Sequence, residues 1–245
     1  YDRLAETQAS KYNHTTFRYI KNISCLEKIQ ELNLGKISRS AVLLREQIYL
    51  RSVLKVIGES SELNNCDMIL LENCPQFSIQ IKNKFPTKKL YCHLHNDYIN
   101  CESKNALSII QSLDKIICVS DFIGRRVLSV SDMANVVTLH NGVAIKTSSD
   151  SKVNSIRKQY GVLPDEKLVI FTGRLIPGKG AHVLLEAYTK MRNKEKCVLM
   201  FVGSQLYGKN VEDNYLKRLN EISGKYEKRI FFTGFIPYEE ISNYY

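Results

Sequence analysis

The chain has no apolar run near the roughly 20 residues needed to cross a bilayer, and no stretch with the pattern of a signal peptide. It has no CxxC pair; its seven cysteines are odd in number and scattered. They are read as reduced thiols of a cytoplasmic protein. Cys92, Cys118 and Cys197 fall in apolar, strand-like runs, where cysteine acts as a small buried hydrophobe. There is no dense Lys/Arg block with interleaved aromatics, although the net charge is +10. Residues 1–145 hold 18 basic and 14 acidic side chains and residues 146–245 hold 17 and 11, so neither part is a basic tail. Nucleic acid is therefore not expected as a partner. A diffuse positive surface suits phosphate-bearing substrates or an anionic membrane face. Internal repeats and low-complexity segments are also missing. What remains, 245 residues with 44% hydrophobic and 24% charged, is an ordinary globular composition with room for one large or two smaller domains.

Short apolar runs alternate with amphipathic stretches. Strands are expected at Met68–Leu71, Leu90–Leu94, Lys115–Val119, Val136–Leu139, Leu168–Phe171, Val198–Val202 and Ile230–Thr233. Helices are expected at about Ser40–Gly58, Gln76–Asn83, Cys101–Leu113, Phe122–Leu128, Ala181–Arg192, Glu212–Ser223 and Tyr238–Tyr244. This alternation points to an α/β fold with parallel sheets covered on both faces. Residues 146–155, KTSSDSKVNS, are polar without an apolar period and read as a linker. The expected plan is a lobe over 1–145, the linker 146–155, and a second lobe over 156–245.

The segment VIFTGRLIPGKGA, Val169–Ala181, carries the most chemistry. A buried strand ends in a loop with Arg174, Pro177, Gly178, Lys179 and Gly180, and an amphipathic helix follows. A helix N-terminus offers unpaired N–H groups and partial positive charge. Glycines admit close backbone approach, and two cations five residues apart suit a phosphate or diphosphate. Gly173-x-x-x-x-Gly178-Lys179 meets most of the P-loop pattern, but Gly180 stands where a Ser or Thr should hold magnesium. His93 and His95 alternate at the end of a strand and share a face. With Cys92 and Asp97 nearby they suggest a metal site, but a fourth ligand at standard spacing is absent.

The form G-R-L-x-x-x-K-G resembles the donor loop of family-four retaining glycosyltransferases with the GT-B fold. Other segments follow in that family's order: YCHLHND (Tyr91–Asp97), ICVSD (Ile117–Asp121), LHNGV (Leu139–Val143), LMFVGS ending at Ser204, and IFFTGFIPYEEI (Ile230–Ile241). The resemblance covers roughly residues 65–245. It implies two Rossmann-like lobes, the first acceptor-side and the second donor-binding, with the ligand at the carboxyl ends of the strands.

It further implies transfer of a hexose from a nucleotide diphosphate sugar to a hydroxyl of a glycan or lipid-linked glycan. Anomeric configuration would be retained, and no metal cofactor would be needed. Arg174, Lys179 and Gly178 would hold the donor diphosphate. His95 would act near the anomeric carbon, leaving His93 structural. Gly234, Phe235, Ile236 and Ser204, with Asn141 and Gly142 before the linker, would line the cleft or meet the nucleobase. A polysaccharide pathway in the cytoplasm, at the inner membrane face, is the implied setting. The family's first strand with its glycine-rich loop, and a downstream pair of glutamates, find no counterpart here, so the chain is expected to be incomplete at both ends. A non-catalytic nucleotide-sugar-binding module and a P-loop-like nucleotide hydrolase stay open as alternatives.

Overall fold

Seven short apolar runs become seven parallel strands, arranged in two separate sheets. The computed structural model describes residues 36–61, 65–143, 145, 148–205, 214–226 and 229–245. The chain divides into two units, Tyr1–Gly142 and Val143–Tyr245.

In the first unit the strands are β1 (Met68–Glu72), β2 (Lys89–Leu94), β3 (Lys115–Cys118) and β4 (Val136–Thr138), adjacent in chain order. Its helices are α1 (Lys36–Glu59), α2 (Ser78–Lys84), α3 (Ala106–Ser112) and α4 (Asp121–Leu128). Consecutive parallel strands joined by right-handed crossovers put all connecting helices on one face of the sheet. Leu71, Leu90, Cys92, Leu94, Ile116 and Cys118 point to that face and are buried with Ile81, Ile109, Ile110, Ile123 and Val127. Each such aliphatic side chain contributes about 1.5–3 kcal/mol when fully buried. The opposite face is more open among the described residues: Met68 and Leu70 are each 47% exposed and Val137 is 42% exposed. Among the described residues, no helix of this unit covers these three side chains fully.

Helix starts follow local chemistry. The Ser120 hydroxyl accepts from the Ile123 N–H at the start of α4, with Asp121 in the first turn, an N-cap favoured by the exposed N–H groups and the dipole there. The serine of ICVSD thus caps a helix. α3 begins five residues later than expected, because Asn100 and Asp97 close a side-chain turn and Glu102 donates to Asn100. The other sheet end is tied by Asp114, whose carboxylate accepts from Lys82 Nζ at 2.8 Å and from the Leu90 N–H at 2.7 Å.

The second unit has β5 (Lys167–Thr172), β6 (Cys197–Val202) and β7 (Ile230–Gly234), again adjacent in order. Its helices are α5 (Asp150–Gln159), α6 (Ala181–Lys190) and α7 (Asn214–Ser223). Central β6 is buried almost throughout. Leu199 and Phe201 pack with Leu185 and Leu219 of α6 and α7. On the edge strand, Leu168 and Ile170 line a groove with Val153 and Ile156 of α5 and Tyr244. α5 occupies much of the stretch read as a linker, a correction with a tertiary cause. Its two apolar residues give too short a stripe to register as a period, yet they sit beside the sheet, and Ser148 ahead of the helix donates to Asn243 at 2.6 Å. The expected helix Tyr238–Tyr244 is instead a turn and a short 3-10 segment, Ile241–Tyr244. Residues 1–35, most of the stretch 1–40 in which the family's glycine-rich loop finds no counterpart, and residues 146 and 147 of the linker lie outside the described residues.

Candidate functional site

The second sheet ends in glycine on all three strands. Gly173 follows β5, Gly203 follows β6 and Gly234 closes β7, with φ of 147°, 142° and 73°. These lie in the region that side-chain-bearing residues rarely adopt. The Gly173 N–H donates to the Val202 carbonyl and the Gly203 N–H to the Gly234 carbonyl, both at 3.1 Å. A Cβ on Gly203 would lie 2.1 Å from the Gly173 oxygen, so the strand ends approach closely only because position 203 has no side chain. A cavity of about 110 Å³ opens at this edge, lined by Gly173, Arg174, Val202, Gly203, Ser204, Phe235, Ile236 and Ile241.

The basic loop is anchored here. Leu175 is buried in the core at 1% exposure, and its N–H donates to the Ser204 carbonyl at 3.1 Å. Pro177–Lys179 forms a 3-10 turn, and Gly180, at φ 74°, is the residue before α6. Lys179 and Gly178 are exposed, while Arg174 is half-buried at the cavity. Not all of the α6 N-terminus is available: the His182 N–H donates to the Tyr215 hydroxyl of α7 at 3.1 Å. The sequence offered no signal for that cap, since Tyr215 lies on another helix.

Arg174, Ser204, Phe235 and Ile236, singled out separately in the sequence, thus line one cavity beside Gly234, and Gly178 and Lys179 belong to the loop that borders it. Gly203, which seals the strand ends, and Ile241 were not singled out. Asn141 and Gly142 belong to the first unit. Both are exposed beyond β4, and nothing lies within 4 Å of a Cβ placed on Gly142, so neither crowding nor conformation demands glycine there.

His95 also lies in the first unit, just beyond β2. Its Nε2 meets the Glu72 carboxylate, and so does His93 Nδ1, at 3.1 Å from Oε1. The two rings are 4.4 Å apart. His93 Nε2 is buried without a hydrogen-bond partner among the described residues. Asn73, at φ 55°, ties this corner: its N–H donates to the His93 carbonyl at 2.8 Å and its side-chain oxygen accepts the His95 N–H at 3.0 Å. Asp97 does not join the group; it accepts from Arg126 Nε at 2.9 Å. Glu72 was missed because its partners lie 21 and 23 positions away, and only the β1–β2 register sets it opposite His93.

Residues 152–245 match the family model for Glycosyl transferases group 1. The chain is 27% identical over 204 residues to spore coat protein SA of Bacillus subtilis (strain 168), covering 78% of this chain and 54% of that protein. It is 28% identical over 203 residues to the putative glycosyltransferase YtcC of the same organism, covering 77% of this chain and 49% of that one. The chain thus spans about half the length of these relatives. Among solved structures, Anabaena Alr3699/HepE in complex with UDP superposes with a TM-score of 0.62 at 23% identity, over 79% of this chain and 53% of that one. A glycosyltransferase from Rickettsia africae ESF-5 gives 0.62 at 17% identity, over 98% and 59%. The fold is α/β with two parallel sheets, as in these GT-B structures, and residues 152–245 are similar to the group 1 glycosyl transferase domain.

Proposed function

We propose that the protein transfers a hexose from a nucleoside diphosphate sugar to a hydroxyl of a glycan or lipid-linked glycan, with retention of configuration. The observation that carries this reading is the second unit's glycine-ended sheet edge. Its cavity gathers Arg174, Ser204, Phe235 and Ile236 next to the anchored basic loop. The UDP and UDP-glucose complexes of the structural neighbour point to the same ligand class.

The roles follow from charge. As the bond to the sugar breaks, negative charge grows on the β-phosphate. Arg174 and Lys179 supply two fixed cations, and the Gly178–Gly180 backbone leaves room for phosphate oxygens. Preorganised positive groups of this kind stabilise the developing charge without reorganisation, so donor binding is expected without magnesium. Phe235 and Ile236 offer an apolar wall and exposed backbone for the base. His95, from the first unit, is assigned to the reacting carbon. The work would be done in the cytoplasm, at the inner membrane face, where a basic surface meets anionic lipid.

Calorimetry with UDP tests the reading. Arg174→Ala and Lys179→Ala should each lose roughly 1.5–3 kcal/mol, the scale of a charge-assisted hydrogen bond, with or without magnesium. His95→Ala should keep UDP affinity and lower kcat about 10²-fold, the range of a positioned polar or acid–base group. Wild-type affinity in both cation variants would remove the loop from the site. UDP binding without turnover on any acceptor would favour a binding module instead.

A further inference from the structure

We propose that Glu72, His93 and His95 form a binding site for a divalent transition-metal ion of the zinc class. The site is built from the first unit alone and does not depend on the donor chemistry. One donor atom from each residue lies within 4.8 Å of the others. His93 Nδ1 stands 3.1 Å from a Glu72 oxygen. Metal–ligand bonds of about 2.0–2.2 Å in a tetrahedral shell leave their donors roughly 3.2–3.6 Å apart, so the cluster needs small side-chain rotations and no backbone movement to close on an ion.

Three features make this more than a chance meeting of polar side chains. The first is register. Parallel pairing sets Glu72 opposite His93, and the period-two strand carries His95 to the same side. The second is rigidity. Asn73 bonds the backbone of both histidines, through its N–H to His93 and its side-chain oxygen to His95, so both ligand backbones are fixed before any ion arrives. The third is donor chemistry. Two imidazoles and one carboxylate suit zinc and its neighbours, whereas magnesium and calcium prefer all-oxygen shells.

Glu72 and His95 side chains are 58% and 35% exposed, against 18% for His93. The fourth position therefore opens to solvent and would carry water or an exchangeable ligand. The buried His93 Nε2 has no acceptor among the described residues to hold it. Loss of such an outer partner lowers affinity about 10–100-fold, so zinc is expected to bind more weakly than at a site with a bonded outer shell. A bound ion would occupy the His95 nitrogen, so zinc is expected to inhibit whatever reaction uses that atom.

The test is titration of zinc into chelator-treated protein by calorimetry, with cobalt(II) absorption as a second readout. One equivalent should bind, magnesium should not, and cobalt should give visible bands of a four-coordinate nitrogen/oxygen site. Glu72→Gln is the decisive variant, because the side chain is mostly exposed and the amide keeps its shape. It should weaken zinc about tenfold or more, as should His93→Ala and His95→Ala, while His140→Ala, an exposed histidine elsewhere, should leave binding unchanged. No saturable binding at millimolar zinc would overturn the site. So would wild-type affinity in Glu72→Gln, or a near-ultraviolet thiolate band that moves the ion to the cysteines.

Discussion

Replacing Gly203 with alanine tests the packing on which the second unit's cavity rests. A Cβ there would stand 2.1 Å from the Gly173 oxygen and 3.0 Å from its carbon. Real Cβ contacts essentially never fall below 3.0 Å, so the Gly173 carbonyl must withdraw by about 1 Å. That carbonyl belongs to the turn joining β5 to Arg174, and the neighbouring N–H is bonded to Val202. Holding alanine near φ 142° costs about 1–3 kcal/mol, and forcing the backbone apart in a packed region costs a similar amount. The expected loss is roughly 2–6 kcal/mol. At a urea slope near 2 kcal/mol/M this lowers the second unit's midpoint by about 1–3 M. The chain has no tryptophan, so unfolding should be followed by far-ultraviolet circular dichroism. Gly178→Ala is the matched control for stability: a Cβ there meets nothing within 4 Å, and the unfolding free energy should stay within about 0.5 kcal/mol of wild type. UDP affinity should fall about tenfold or more in Gly203→Ala, because Arg174 is displaced with the turn. A wild-type midpoint and wild-type UDP affinity would refute the close approach of the two strand ends.

Two further outcomes follow from the first unit. Lys82, and then the Leu90 N–H, hold the Asp114 carboxyl below its usual 3.8. A depressed carboxyl stabilises the fold above its unfolded pKa and loses that contribution as pH falls through the folded value. Asp114→Asn should therefore be less stable by about 1 kcal/mol at neutral pH, a modest figure because the pair is partly exposed. The gap should close below about pH 4, and urea midpoints across pH 3–7 would show it; a constant gap would contradict the pairing. Burial pushes the thiols of Cys92 and Cys118 up to about 12 and about 11. At pH 8 both should resist iodoacetamide in the folded protein and react on unfolding, whereas exposed Cys101 should label at once; peptide mass mapping reads the difference.

All seven strands were legible in the chain because a buried parallel strand is a local run of apolar residues, and its signal sits in the strand itself. The basic loop was legible for the same reason: strand, glycines, cations and helix follow one another without a gap. α5 was not legible. Val153 and Ile156 carry little hydrophobic pattern, and the helix takes its place from the sheet residues and C-terminal turn beside it. The exposure of Met68 and Leu70 also escaped, because it depends on which other segments lie against the sheet. Nor could the chain disclose that Gly203 must lack a side chain, since the crowding atom is Gly173, thirty residues away, brought close by β5–β6 pairing. The sequence by itself determined the strands, the basic loop and the alternation that makes this an α/β protein. Only the tertiary structure decided which separated residues lie together: Arg174 with Ser204 and Phe235, and Glu72 with His93 and His95. Those meetings depend on strand register and chain crossover, which are properties of paired segments and are written in neither segment alone.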